Sequence, residues 1–370
     1  MVEAGQGPLA GLKVVEFTHM VMGPAAGVIL ADLGAEVTRV EPREGDHTRH
    51  LPGSGAGYFA MYNRNKRSVF LDLKSEDGLD EARALCAQAD VLIENFRPGA
   101  LDRLGLSYDR LSQANPGLIY YSAKGFLPGP YESRTALDEV AQMMGGLAYM
   151  TGPPGRPLRA GASVIDVTGG MFGVIGVLAA LEERRRTGRG QLVRSSLFET
   201  TAFLVGQHMA QKAVTGQAAN PMPARLSAWS IYDVFTTADG QGVFIGVVTD
   251  ALWLKFCDLF DLGVLGGQER LRRNADRVAA RDDILPVVRE AVGGFTAAEL
   301  LARLEGSGLP FAPIGKPEDL FDDPHLKASG GLTTVTLPDG RAVDLPSLPL
   351  EMAGRRFNAP AATPAPPESA

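Results

Sequence analysis

Cysteine is scarce in this chain: Cys86 and Cys257 are the only two, far apart and without a C-x-x-C motif. That excludes a disulfide framework and a thiolate zinc site, and it fits a reducing, cytoplasmic location. Positive charge is also in short supply. The 36 Lys and Arg against 43 Asp and Glu leave a formal charge of −7. This argues against a nucleic-acid or membrane-surface partner, so a polyanionic ligand must meet a local basic patch. The start, Met1-Val-Glu-Ala-Gly-Gln-Gly7, lacks the basic and apolar regions of a signal peptide, and the longest apolar run is broken by glycine and shorter than a bilayer span. The chain is therefore read as neither exported nor membrane-spanning.

Several catalytic signatures are missing as well. The turn from Thr18 to Pro24, between the first expected strand and helix, has no G-x-G-x-x-G, so a bound NAD has no support. His47 and His50 sit in a charged loop with no further ligands at metal spacing, and His19, His208 and His325 are isolated; no metal site is expected. Nothing resembles a Ser-His-Asp or Cys-His arrangement with a nucleophile elbow.

What is present is an ordinary globular composition, 45% apolar and 21% charged over 370 residues, long enough for two domains. Leu12–Phe17, Pro24–Leu33 and Glu36–Glu41 read as strand, helix and strand. A helix over Leu79–Ala89, with Asp77 as its cap, then leads to strands at Asp90–Glu94 and Gly117–Ser122. A helix over Thr168–Arg186, closed by Gly188, precedes a strand at Leu192–Leu197. The fold class is α/β: a large doubly wound, mostly parallel sheet domain over residues 1–215, with ligands at the carboxyl ends of its strands. After Pro223 the texture changes to a hairpin around Ala238-Asp-Gly240 and several helices, a smaller α+β domain over 225–328 joined by two linkers. Residues 329–357 return to the large domain with a hairpin at Pro338-Asp-Gly340, and 358–370, rich in Ala and Pro, read as a disordered tail.

Two features invite chemistry. The stretch Arg159-Ala-Gly-Ala-Ser-Val-Ile-Asp166-Val-Thr-Gly-Gly170 puts one carboxylate at the mouth of a glycine-opened helix. Such an Asp is either a cap or a nucleophile beside unpaired N–H groups, with Thr168, Gly169 and Gly170 as candidate anion donors. The second feature is a cluster of cations near expected strand ends: Arg39, Arg43, Arg49, Arg64, Lys66, Arg67, Lys74, Arg97 and Arg103. These suit either a phosphate-bearing ligand or a surface face paired with Glu41, Glu44 and Glu94.

Taken in order, a set of segments carries a resemblance: Val14-Val-Glu-Phe-Thr-His19 with Gly23-Pro24, Leu30-Ala-Asp-Leu-Gly-Ala-Glu-Val37, Asn65-Lys-Arg-Ser68, Glu94-Asn-Phe96, Pro98-Gly-Ala-Leu-Asp-Arg103-Leu-Gly105, Asp138 with Gln142 and Gly146, Asp166, and Thr187-Gly-Arg-Gly-Gln191. The chain resembles the family III CoA-transferases, the group that includes formyl-CoA transferase, carnitine CoA-transferase and the α-methylacyl-CoA racemases. The likeness covers most of residues 10–215 and returns weakly over Pro310–Leu350.

The resemblance implies a transferase that moves CoA from an acyl-CoA to a free carboxylic acid through covalent intermediates on Asp166, with Asp138 near the acyl group. It implies that His19, Leu71, Lys74, Asn95, Phe96, Arg97 and Arg103 lie on CoA, joined by Arg39 from the cation cluster. The CoA thioester is a substrate, no cofactor is tightly bound, and the partner is a second copy in an interlocked homodimer. Three positions depart from the family pattern. Leu137 stands where the racemases carry a histidine, which removes a titrating base and leaves racemase as the alternative; a non-catalytic CoA-binding protein is the third reading, against which the presence of both Asp166 and Asp138 argues. The segment Arg225–Tyr232 lacks the glycine run of formyl-CoA transferase, and Val21 replaces its glutamine, so formate and oxalate are not implied. In the first chemical step a thiolate of pKa about 8.5 is expelled by a carboxylate of pKa about 3.9, unfavourable by up to roughly 6 kcal/mol.

Overall fold

In the computed structural model, residues 7–225 and 227–367 are described; the first six residues, part of the stretch read as lacking an export signal, lie outside them. The chain divides into two compact units. One comprises the described residues up to Ala224 together with those from Pro324 onward, and the other is Arg225–Asp323.

The larger unit is built on six parallel strands: β1 (Lys13–Phe17), β2 (Glu36–Glu41), β3 (Arg67–Phe70), β4 (Val91–Glu94), β5 (Ile119–Lys124) and β6 (Leu192–Ser196), in the order β3-β2-β1-β4-β5-β6. β4 is buried along its whole length, as expected for a strand covered on both faces. The helical crossovers are α1 (Met22–Asp32), α2 (Tyr58–Asn63), α3 (Glu76–Ala87), α4 (Ala100–Arg103), α5 (Tyr108–Ala114), α6 (Asp138–Met144), α7 (Leu147–Thr151) and α8 (Val164–Thr187). One face of the sheet packs on α1 and α8 through Leu30, Val174 and Val177; the other packs on α3, α4 and α5 through Ala82, Cys86, Leu101 and Leu111. Strand order reverses between β1 and β4, which opens a crevice at their carboxyl ends.

β3 emerges from the stretch read only as a cation cluster; its Arg67-Ser-Val-Phe70 is short and half-buried, at the edge of the sheet. The α3 cap is Ser75, whose side chain accepts from the Gly78 N–H, rather than Asp77, which lies in the first turn. α8 starts at Val164, four residues earlier than its apolar run suggested, and its 24 residues are long and apolar enough by that test alone to cross a membrane. One side of it packs on α1, where Gly169 and Gly170 are buried, while Met171 and Ile175 on it are exposed. A Cβ on Gly170 would sit 2.7 Å from the Met22 carbonyl oxygen, and one on Gly169 2.7 Å from Met22 Cε.

The smaller unit is an antiparallel sheet, β7 (Ile231–Thr236), β8 (Gly242–Val247) and β9 (Phe311–Pro313). Helices Asp250–Leu259, Arg281–Gly293 and Ala297–Leu304 close around a core that includes Phe235, Ile245, Trp253, Phe256 and Leu300. In the returning segment, β10 (Leu332–Thr336) and β11 (Ala342–Pro346) form the expected hairpin. The expected tail from Asn358 is ordered through residue 367. Ala361 and Ala362 pair with β10, the Ala362 carbonyl accepts from the Asn65 N–H, and Arg49 donates to the carbonyls of Pro364 and Ala365. A segment of small side chains gains its order from backbone groups, a signal that composition does not carry. Residues 368–370 of that stretch lie outside the described ones.

Candidate active site

A cavity of about 340 Å³ opens at the β1/β4 crevice and holds Asp166, Asp138, His19, Asn95, Phe96 and Arg97 in its lining, together with Tyr58, Lys124, Arg134, Arg159 and Ser163. A second, of about 420 Å³, adjoins it and shares Arg97, Pro98, Lys124 and Glu132. The Lys124 ammonium, 2.7 Å from Glu94, belongs to both linings.

The crevice walls are tied together by Asn95, which follows β4. Its amide oxygen accepts from the His19 N–H at 2.9 Å and its amide nitrogen donates to the His19 carbonyl at 2.8 Å. His19 in turn stacks on Phe96, with centroids 5.3 Å apart. Burial holds the His19 imidazole below its ordinary pKa. It is neutral at pH 7 and offers a flat surface and a hydrogen bond, not a counter-charge for phosphate.

Two acids meet at the start of α8 and differ in what surrounds them. Asp138, the first residue of α6, is saturated with donors. Its Oδ2 accepts from the backbone N–H of Ile165 at 2.8 Å and of Asp166 at 3.2 Å, and its Oδ1 accepts from Gln142 and from Arg159 at 3.3 Å. It therefore does from a distance what an N-cap side chain does locally, and Ser163 at the N-cap makes no such bond. Asp166, in the first turn, has no hydrogen-bond donor on its carboxylate among the described residues. Burial pushes its carboxyl up to about 7, with Asp138 adding to the rise and Arg159 opposing it. Tyr62 is close enough that Asp166, after burial, raises its phenol above the ordinary value.

This arrangement corrects part of the sequence reading. Gly169 and Gly170 lie inside α8, beyond the first turn whose N–H groups lack intrahelical partners, so they are helix-packing residues and not anion donors. Two of the N–H groups the helix start does offer are already taken by Asp138. Arg39 is fully buried. It donates to Glu16 at 3.2 Å, Thr18 at 3.0 Å and Asn63 at 3.0 Å, pairs with Asp46, and is not in the lining of the Asp166 cavity. Lys66, Arg64 and Arg49 are likewise paired with Glu16, Asp32 and Glu41. The Leu71 side chain is buried in the core beside Leu92. Lys74 and Arg103 are exposed but outside the lining of the Asp166 cavity. Arg159, Gln142 and Tyr58 were not recognised as site residues. Gln142 was within reach of the pattern, since it follows Asp138 by one helical turn; Arg159 lies in an irregular loop that has no period.

The site thus combines a doubly wound sheet with a carboxylate at its switch-point crevice that has no hydrogen-bond donor among the described residues, and it has no glycine-rich nucleotide loop. The pattern of CoA-transferase family III matches residues 9–368, and the chain belongs to that family. It is 32% identical over 349 residues to a succinate–glutarate CoA-transferase of Agrobacterium fabrum, covering 91% of this chain and 87% of the relative. It is 38% identical over 317 residues to an acetyl-CoA:oxalate CoA-transferase of Acetobacter aceti, covering 84% and 81%. A solved CaiB/BaiF family protein from Brucella suis superposes with a TM-score of 0.84 at 34% identity, over 98% of this chain and 96% of that one. The protein is thus an enzyme of the transferase class acting on acyl-CoA and carboxylate substrates, and these relatives give no support to the racemase alternative.

Proposed function

We propose that the enzyme transfers CoA through covalent intermediates on Asp166. The observation that carries this is the contrast between two neighbouring carboxylates: Asp138 is spent on four donors, whereas Asp166 faces the cavity with its oxygens uncommitted. An Asp166 oxygen attacks the thioester carbonyl carbon, the C–S bond breaks, and a mixed anhydride and CoA thiolate form. The thiolate then attacks the aspartyl carbonyl and releases the donor acid as its carboxylate, leaving an aspartyl thioester. An acceptor carboxylate attacks that thioester, and the expelled thiolate returns to the acceptor's carbonyl, freeing Asp166.

The raised pKa serves this chemistry. Exchanging a thiolate of pKa about 8.5 for a carboxylate near 7 costs about 2 kcal/mol, against the roughly 6 for an ordinary aspartate. Desolvation of the nucleophile therefore takes over much of the task first assigned to helix N–H groups. CoA is held by the Asn95-Phe96-Arg97 wall beside His19, so the departing thiolate stays within reach of the anhydride. CoA enters and leaves as substrate, and the proposed cycle requires no tightly bound cofactor. Asp166→Asn should abolish transfer while CoA binding, followed by calorimetry, changes less than about threefold; turnover retained in that variant overturns the mechanism.

The same reading includes a homodimer in the cytoplasm. Helix Gly206–Thr215 has no buried residue, and Phe203, Met209, Met171 and Ile175 expose between 47% and 71% of their surfaces, an apolar face that a second copy would cover. Sedimentation should give a dimer, and Met209→Glu should weaken it.

A further inference from the structure

The Asp166 cavity is lined by three arginines and a lysine that differ in what occupies them. Arg159 is committed to Asp138 and Glu139, and Lys124 to Glu94 and the Phe96 carbonyl. Arg97 belongs to the wall assigned to CoA. Arg134 remains. Among the described residues no carboxylate lies within ion-pair distance of it, not even that of Glu132 two positions away.

Arg134 is nevertheless held in place. Its guanidinium lies over the Tyr131 ring, 4.9 Å from the centroid. That ring packs edge-on against Phe126 and Phe198 at 5.7 and 6.4 Å. The Arg134 N–H donates to the Tyr131 carbonyl at 2.9 Å, and the loop is pinned by the Leu127 N–H on Glu199. Stacking fixes a guanidinium without using its N–H donors, so this exposed arginine lines the cavity with its fork unpaired to any carboxylate among the described residues. A monocarboxylic acyl chain has nothing to offer such a group at its distal end, whereas a second carboxylate matches the fork bidentately.

We propose that Arg134 binds the distal carboxylate of a dicarboxylic acyl group, so that the enzyme prefers dicarboxylic acids and their CoA thioesters. This rests on the covalent role of Asp166, and the test separates the two.

Succinyl-CoA and butyryl-CoA carry four-carbon acyl groups that differ in ending with a carboxylate or a methyl. Loading of Asp166 from each is followed by intact mass of the full-length protein. The wild type should load from succinyl-CoA at least about tenfold faster at limiting thioester. Arg134→Met should slow that loading by about 30-fold and change the butyryl-CoA rate by less than about threefold, while Arg134→Lys should recover part of the loss. Equal loading of the wild type from both thioesters overturns the assignment of Arg134, as does an Arg134→Met protein slowed by the same factor with both. Absence of an Asp166 adduct with either thioester overturns the covalent mechanism itself, and the substrate preference with it.

Discussion

Asp138 Oδ2 accepts the backbone N–H of Asp166 at 3.2 Å, so one acid of the site holds the main chain of the other. The same oxygen takes the Ile165 N–H, and together these contacts fix where α8 begins. Replacing Asp138 by Ala leaves two N–H groups without an acceptor, which should cost about 1–3 kcal/mol of stability. Transfer should fall by about 100-fold, because the nucleophile moves relative to the bound thioester. Denaturant titration beside steady-state kinetics checks both. Asp138→Asn retains an acceptor and should lose less stability.

The pH profile follows from the raised Asp166 carboxyl. Only the ionised form attacks, so loading should rise with pH and reach half its plateau near 7. Removing the Asp138 charge takes away one cause of that rise, so the midpoint in Asp138→Asn should move to lower pH. A pH–rate profile of single-turnover loading, in both proteins, measures the shift.

Stability should respond in the opposite sense. A carboxyl with a folded-state pKa near 7 and an ordinary unfolded value binds more protons when folded between those two points. Its contribution is therefore present at acid pH and is lost as pH rises through 7. Asp166→Asn should have a Tm close to wild type at pH 4 and a higher one at pH 8; equal differences at both pH values contradict the assignment.

Arg39 and Arg97 should separate by phenotype. Arg39 lies in a buried cluster with Glu16, Asp46 and Glu41, where removal of one partner leaves unpaired charges in the interior. Arg39→Met should lose about 3–5 kcal/mol of stability. Arg97→Ala, at an exposed position, should leave Tm unchanged and raise the KM for acyl-CoA several-fold. Thermal melts and kinetics on the two variants distinguish a structural cation from a ligand-binding one.

The course of the chain was legible where burial imposes a period. The parallel strands β1, β2, β4, β5 and β6 stand as short β-branched or aromatic runs, and α3 and α5 between them carry serine caps at Ser75 and Ser107. Asp166 was legible because a lone acid precedes a glycine-opened apolar run. What the sequence hides is which charges pair. Arg39, Arg49 and Lys66 look like Lys74 and Arg97 in a linear reading, yet Glu16 and Glu41 lie beside the first three only after β1, β2 and β3 align. The true start of α8 was hidden for the same reason, since its cap is supplied by Asp138 from another helix. Gly169 and Gly170 then read as donors although the close passage of α1 is what requires them.

The role of Asp166 is tested most directly by incubating the enzyme with an acyl-CoA and mapping the resulting adduct by peptide mass spectrometry, with and without hydroxylamine. An acyl or CoA adduct on the peptide containing Asp166, removed by hydroxylamine and absent from Asp166→Asn, is the expected result. An enzyme that turns over while its adduct maps to another residue contradicts the account.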